Sequence, residues 1–120
     1  MRDIEHKTQC ACVQWFRLQF MGMAGLLFAI PNGGARDAVT GRKLKDEGVL
    51  AGVADLMLAV ARDEWHGLFI EMKTRSGSQR ETQKEFQRNV EVQGYKYIIC
   101  RSFDEFREQV LDYLKNKDLQ

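Results

Sequence analysis

The segment GVADLMLAVARDEWHGLFIEMKTRSG, residues 52–77, carries two apolar runs of strand length around a polar turn. DLMLAVA (55–61) and GLFIEMKT (67–74) flank Arg62-Asp63-Glu64-Trp65-His66, a pattern that predicts an antiparallel hairpin. Three charged residues interrupt these runs: Asp55 opens the first, and Glu71 and Lys73 sit inside the second. Strand side chains alternate, so Leu68, Ile70 and Met72 point one way and Phe69, Glu71 and Lys73 the other, with Glu71 and Lys73 about 7 Å apart. If the hairpin closes about its turn, Asp55 falls near the Lys73 end of its partner, to within a residue or two.

Outward from the hairpin, periodicity orders the rest of the chain. Gln9, Cys12, Val13, Phe16 and Phe20 recur at three- and four-residue steps and predict a helix over 4–20. LLFAI (26–30) has strand length and is stopped by the loop signal PNGG. Residues 38–47 suit a short basic helix ending at Gly48. Ser78 and Glu81 have capping-box spacing for a helix running to about Gln93, before Gly94. YKYIIC (95–100) reads as a strand. Ser102 and Glu105 repeat the capping spacing ahead of a helix striped by Phe103, Phe106, Val110 and Leu114. The expected order is α-β-α-β-β-α-β-α, a mixed β-sheet flanked by helices of the α/β (α+β) class, with residues 1–120 forming a single domain.

Composition is that of an ordinary globular protein: 120 residues, 44% hydrophobic and 29% charged. No apolar run approaches the roughly 18 residues of a membrane helix, and the polar start MRDIEH lacks a signal-peptide core. No membrane partner is expected. Three cysteines without framework spacing favour reduced thiols and a cytoplasmic location. The net charge of +1 gives no global pull on nucleic acid, but basic residues cluster at 36–45 and 73–88.

A carboxylate pair beside an ammonium suits a hard divalent cation, which keeps several waters and is held by one or two carboxylates. The same alternation suits a solvated sheet face bearing a Glu71–Lys73 ion pair. Both readings stand on residue type alone. Two helical residues add to the first: Glu5 extends the inward stripe of the first helix by one turn, and Gln83 lies in line with Phe86 and Val90. Polar groups on core-facing stripes need partners.

GVADLML, FIEMKT and TQKEFQ together resemble the PD-(D/E)xK nuclease superfamily, and more narrowly its VRR-NUC branch. That branch occurs as stand-alone phage and bacterial proteins and as the nuclease module of a eukaryotic DNA-repair enzyme. Its pattern is a Glu-x-x-x-Gln helix, a Pro-Asn-Gly-Gly loop, Gly-Val-Pro-Asp, Glu-x-Lys, then a helix bearing Gln. Here these are Glu5 and Gln9, residues 31–34, residues 52–55, Glu71 with Lys73, and Gln83, in order from Glu5 to about Arg101. One position departs: Ala54 stands where the family has proline.

The resemblance implies a restriction-endonuclease-like fold and a Mg²⁺-dependent DNA endonuclease, with Mn²⁺ as substitute. Asp55, Glu71 and the Met72 carbonyl would hold the metal, and Glu5 would join directly or through water. Lys73 would handle the attacking water, and Gln83 would position it or a metal-bound water. Asn32, Gly33, Gly34, Arg36, Arg42, Lys43, Lys45 and Arg75 would contact the DNA backbone. Similarity to Holliday-junction resolvases implies branched DNA as substrate and a homodimer. The rival expectation is a catalytically silent DNA-binding module on the same fold. His6 and Cys10, one helical turn apart, are too few for a soft-metal site. Trp15, Phe16 and Phe20 read as core or dimer contact.

Overall fold

The computed structural model describes residues 2–31 and 38–115. A long helix α1 (Arg2–Gln19) runs through a 3₁₀ turn (Met21–Leu26) into β1 (Leu27–Ala29). A short helix α2 (Ala38–Asp46) precedes the hairpin strands β2 (Leu56–Leu58) and β3 (Leu68–Met72). Helix α3 (Glu81–Val92), strand β4 (Lys96–Cys100) and helix α4 (Phe103–Leu114) complete the chain. The expected order of helices and strands is therefore observed, with the 3₁₀ turn added. Its residues, Met-Gly-Met-Ala-Gly-Leu, have no apolar period, and none of them is buried.

The sheet order is β1-β2-β3-β4. β2 runs antiparallel to both β1 and β3, and β4 runs parallel to β3, with α3 as the crossover between them. One face of the sheet carries Leu56, Leu58, Leu68, Ile70 and Cys100, all fully buried against Cys12 and Phe16 of α1 and Phe106 and Val110 of α4. Each such large apolar side chain contributes about 1.5–3 kcal/mol on leaving water. Trp15 seals the joint between the two helices, edge-on to Phe103 and Phe106 at 6.1 and 6.2 Å. Trp15 is thus partly buried against the core, one of the two roles its sequence position allowed.

The other face takes α3. Phe86 stands edge-on to Phe69 at 5.1 Å and packs on Tyr97 of β4. The start of α3 departs from the expected cap. It is not Ser78 with Glu81 but the Gln83 side chain that closes the helix start, its Oε1 accepting the Arg80 N–H at 2.9 Å. The helix begins at Glu81, so Ser78 lies too early to serve its first turn. The cap of α4 is as expected: Ser102 Oγ accepts the Glu105 N–H at 3.1 Å.

Candidate active site

The β2–β3 register pairs Leu56 with Ile70, so one step further puts Asp55 opposite Glu71. The sequence set Asp55 near the Lys73 end with a margin of two residues, and the pairing with Glu71 falls at the edge of that margin. Opposed residues in an antiparallel pair point to the same face, with Cβ atoms about 5 Å apart. Asp55 is tied on both sides. Its carbonyl accepts the Ile30 N–H at 2.9 Å, and its Oδ2 accepts the Met72 N–H at 2.6 Å. In an extended strand the N–H and C=O of one residue point the same way, so the Met72 carbonyl also faces the Asp55 side.

Glu71 is fully buried, an unusual place for a carboxylate in the middle of a sheet. Its two oxygens are treated differently. Oε1 accepts from the Tyr97 hydroxyl and from Gln79 Nε2, the latter at 3.1 Å. Oε2 is buried and has no hydrogen-bond partner, and the Lys73 ammonium stands 3.4 Å from it. The two groups form an ion pair whose angles do not make a hydrogen bond. A buried polar atom left without a donor costs about 1–3 kcal/mol. Such an atom is an exception among buried polar groups in native proteins.

Electrostatics agree with a concentration of negative charge. Burial pushes the Asp55 carboxyl up from its ordinary range, and the Glu71 and Glu5 carboxylates push it further. The Met72 N–H and, more weakly, Lys73 oppose the shift. Burial and the Glu71 carboxylate likewise hold the Tyr97 hydroxyl protonated well above its normal range.

Glu5 and Gln9 of α1 line an open cleft together with Asp55. Glu5 also lines a second cleft, with Met72, Lys73, Arg75 and Arg101. The structure thus brings Glu5, Asp55, Glu71, Met72 and Lys73 to one end of the sheet. It places Gln83 at the start of α3, buried, with its Oε1 engaged by the backbone. Arg75 is exposed on the wall of the second cleft. Arg42, Lys43 and Lys45 are exposed on α2 and line neither cleft. Asn32, Gly33, Gly34 and Arg36 lie outside the described residues. His6 Nε2 and Cys10 Sγ face each other at 3.6 Å on the exposed side of α1.

The donor set fits a small hard cation of the Mg²⁺ type. Among the described residues no group of three or more His, Cys, Asp or Glu side chains is arranged to hold a metal alone. Two carboxylates, one with a buried unbonded oxygen, and a backbone carbonyl are oxygen donors of the kind that can hold an ion retaining its waters.

The chain matches the VRR-NUC domain family over residues 2–104. It belongs to the VRR-NUC family. A solved structure described as a VRR_NUC domain protein superposes with a TM-score of 0.81 at 25% identity, covering 92% of this chain and 88% of that one. No functionally curated protein matches it. VRR-NUC domains are a branch of the PD-(D/E)xK superfamily, and the chain is accordingly of nuclease type. Among the described residues no helix is long and apolar enough to cross a membrane.

Three residues around this VRR-NUC site were not singled out from the sequence. Tyr97 donates to Glu71, and Gln79 donates to Glu71 and, at 2.9 Å, to Gln87. Arg101 Nη1 donates to the carbonyls of Thr74 and Gly77 at 2.8 and 2.5 Å and so fastens the turn after Lys73. Tyr97 had one available signal: a tyrosine inside the apolar run YKYIIC needs a partner for its hydroxyl once buried. Gln79 and Arg101 sit among other polar residues and had none.

Proposed function

We propose that this VRR-NUC protein is a divalent-metal-dependent endonuclease that hydrolyses DNA phosphodiester bonds, with branched DNA as its substrate and a homodimer as its working form. The observation that carries the reading is the buried, unbonded Oε2 of Glu71, set across the hairpin from Asp55 and 3.4 Å from the Lys73 ammonium. Asp55, Glu71 and the Met72 carbonyl would hold Mg²⁺ or Mn²⁺, with Glu5 joining through water. A cation held there would supply Lewis acidity at the phosphate and activate water. Lys73 orients the attacking water and offsets charge that builds on the phosphate oxygens. Gln83, whose side-chain oxygen caps α3, would use its amide nitrogen to position the attacking water or a metal-bound water. Arg75, with the basic residues of α2 and Asn32, Gly33, Gly34 and Arg36, contacts the sugar–phosphate backbone.

The test is direct. The protein is incubated with four-way-junction, flap, duplex and single-stranded DNA, with and without Mg²⁺ or Mn²⁺. Scission that needs the cation and is lost in Glu71→Ala and Lys73→Ala is the expected outcome, and two coordinated nicks in a junction support the dimer. Failure to cut any substrate, or cutting that survives Glu71→Ala, removes the assignment. Salt-sensitive DNA binding without scission would instead identify a silent binding module.

A further inference from the structure

We infer that Tyr97 and Gln79 are positioning residues that restrict Glu71 to one-oxygen coordination, and thereby make the site prefer small octahedral cations to Ca²⁺. This inference rests on the reading of Glu71 as a cation ligand.

A glutamate carboxylate turns about a broad, low-barrier terminal torsion. Free to turn, it can offer one oxygen or both to a metal. Here two donors from different parts of the chain meet on the same oxygen. Tyr97 lies on β4, paired with Phe69, two residues before Glu71 on the same sheet face. Gln79 comes from the segment leading into α3. With both bonds on Oε1, the carboxylate plane is held and only Oε2 remains open.

The orientation of Gln79 is itself determined. Glu91 can only accept, so Gln87 turns its Nε2 to the Glu91 carboxylate, at 3.1 Å. Gln87 Oε1 then faces Gln79 Nε2 at 2.9 Å, which leaves the second hydrogen of that nitrogen for Glu71. Two side chains on α3, Gln87 and Glu91, thus fix which end of the Gln79 amide meets the carboxylate.

Mg²⁺ and Mn²⁺ fill octahedral shells readily with one-oxygen carboxylates and water. Ca²⁺ takes six to eight oxygens and is commonly served by carboxylates that give both. Holding Glu71 to a single oxygen removes the arrangement Ca²⁺ favours.

The experiment is calorimetric titration of Mn²⁺ and of Ca²⁺ into the wild type, Tyr97→Phe, Gln79→Ala and Glu71→Ala. The expected result is a roughly tenfold loss of Mn²⁺ affinity in Tyr97→Phe, the scale on which partners of metal ligands act, with a smaller change for Ca²⁺. The Mn²⁺/Ca²⁺ affinity ratio falls, which a general loosening of the fold would not produce. If Tyr97→Phe does not fold, Gln79→Ala alters a partly exposed side chain and carries the same comparison. Unchanged Mn²⁺ affinity, or equal losses for both cations, overturns the inference while Glu71→Ala, by losing binding, keeps the site. A wild type that binds neither cation overturns both.

Discussion

Gly52 is where the segment leading to Asp55 touches α3, and it offers a quantitative check on how the site is held. Its φ is +89°, and a Cβ added there would lie 2.5 Å from the Thr82 carbonyl oxygen and 2.6 Å from its carbon. The obstacle is helix backbone, which cannot swing aside. Gly48 provides the control, since its φ is +107° but a Cβ there meets nothing within 4 Å. Gly48→Ala therefore carries only the left-handed backbone penalty, about 1–2 kcal/mol. Gly52→Ala carries that penalty plus a packing conflict of about 1–3 kcal/mol, for a total of roughly 2–5 kcal/mol. Urea unfolding of both variants, analysed at constant m, separates the two contributions. Relief of the clash displaces the chain three residues before Asp55, so Mn²⁺ affinity should drop in Gly52→Ala and not in Gly48→Ala. If the two variants lose the same stability, the claimed contact with Thr82 does not constrain this loop.

Three further outcomes are expected. The folded-state pKa of Asp55 lies above its ordinary 3.8, so its contribution is present below that pH and is lost as pH rises through the folded value. Asp55→Asn, which keeps an oxygen for the Met72 N–H, should be more stable than the metal-free wild type near neutral pH. The gap should close toward acid, and a variant that is less stable at neutral pH contradicts the charge crowding. Arg101→Ala removes the charged donor fastening the turn at 74–77 and should cost about 1.5–3 kcal/mol, with faster amide exchange at Gly77. Unaltered exchange would show that the turn holds without it. Cys12 and Cys100 are buried, with thiols pushed up to about 12, whereas Cys10 is exposed. A thiol reagent should therefore modify one cysteine in the native protein and three in urea, and a second fast-reacting thiol in the native protein would contradict the burial.

The helices and strands were legible because their apolar spacing matches what they bury. The stripe Cys12, Phe16, Phe20 predicted the inner face of α1, and the alternation Leu68, Ile70, Met72 predicted the core face of β3. The start of α3 was not, because Ser78 and Glu81 have the right letters while the chain reaches helical geometry only at Glu81. Within the site, Asp55 and Glu71 stood out as charges inside apolar runs. Their mutual register did not, since the turn between the strands is too long to set it. Tyr97, 26 residues after Glu71, is invisible as its partner without the parallel β3–β4 pairing.

The hairpin separates its two ends by function. Asp55 and Glu71 face each other at the open end, and the register below them is set by the pairs Leu56–Ile70 and Leu58–Leu68. The turn at Arg62–Trp65 lies some six residues further along, about 20 Å away at strand rise. Extra residues added at that tip would extend into solvent without shifting the pairs beneath it. An insertion between the exposed Asp63 and Glu64 is therefore the change to this hairpin that should least disturb the Asp55–Glu71 pair.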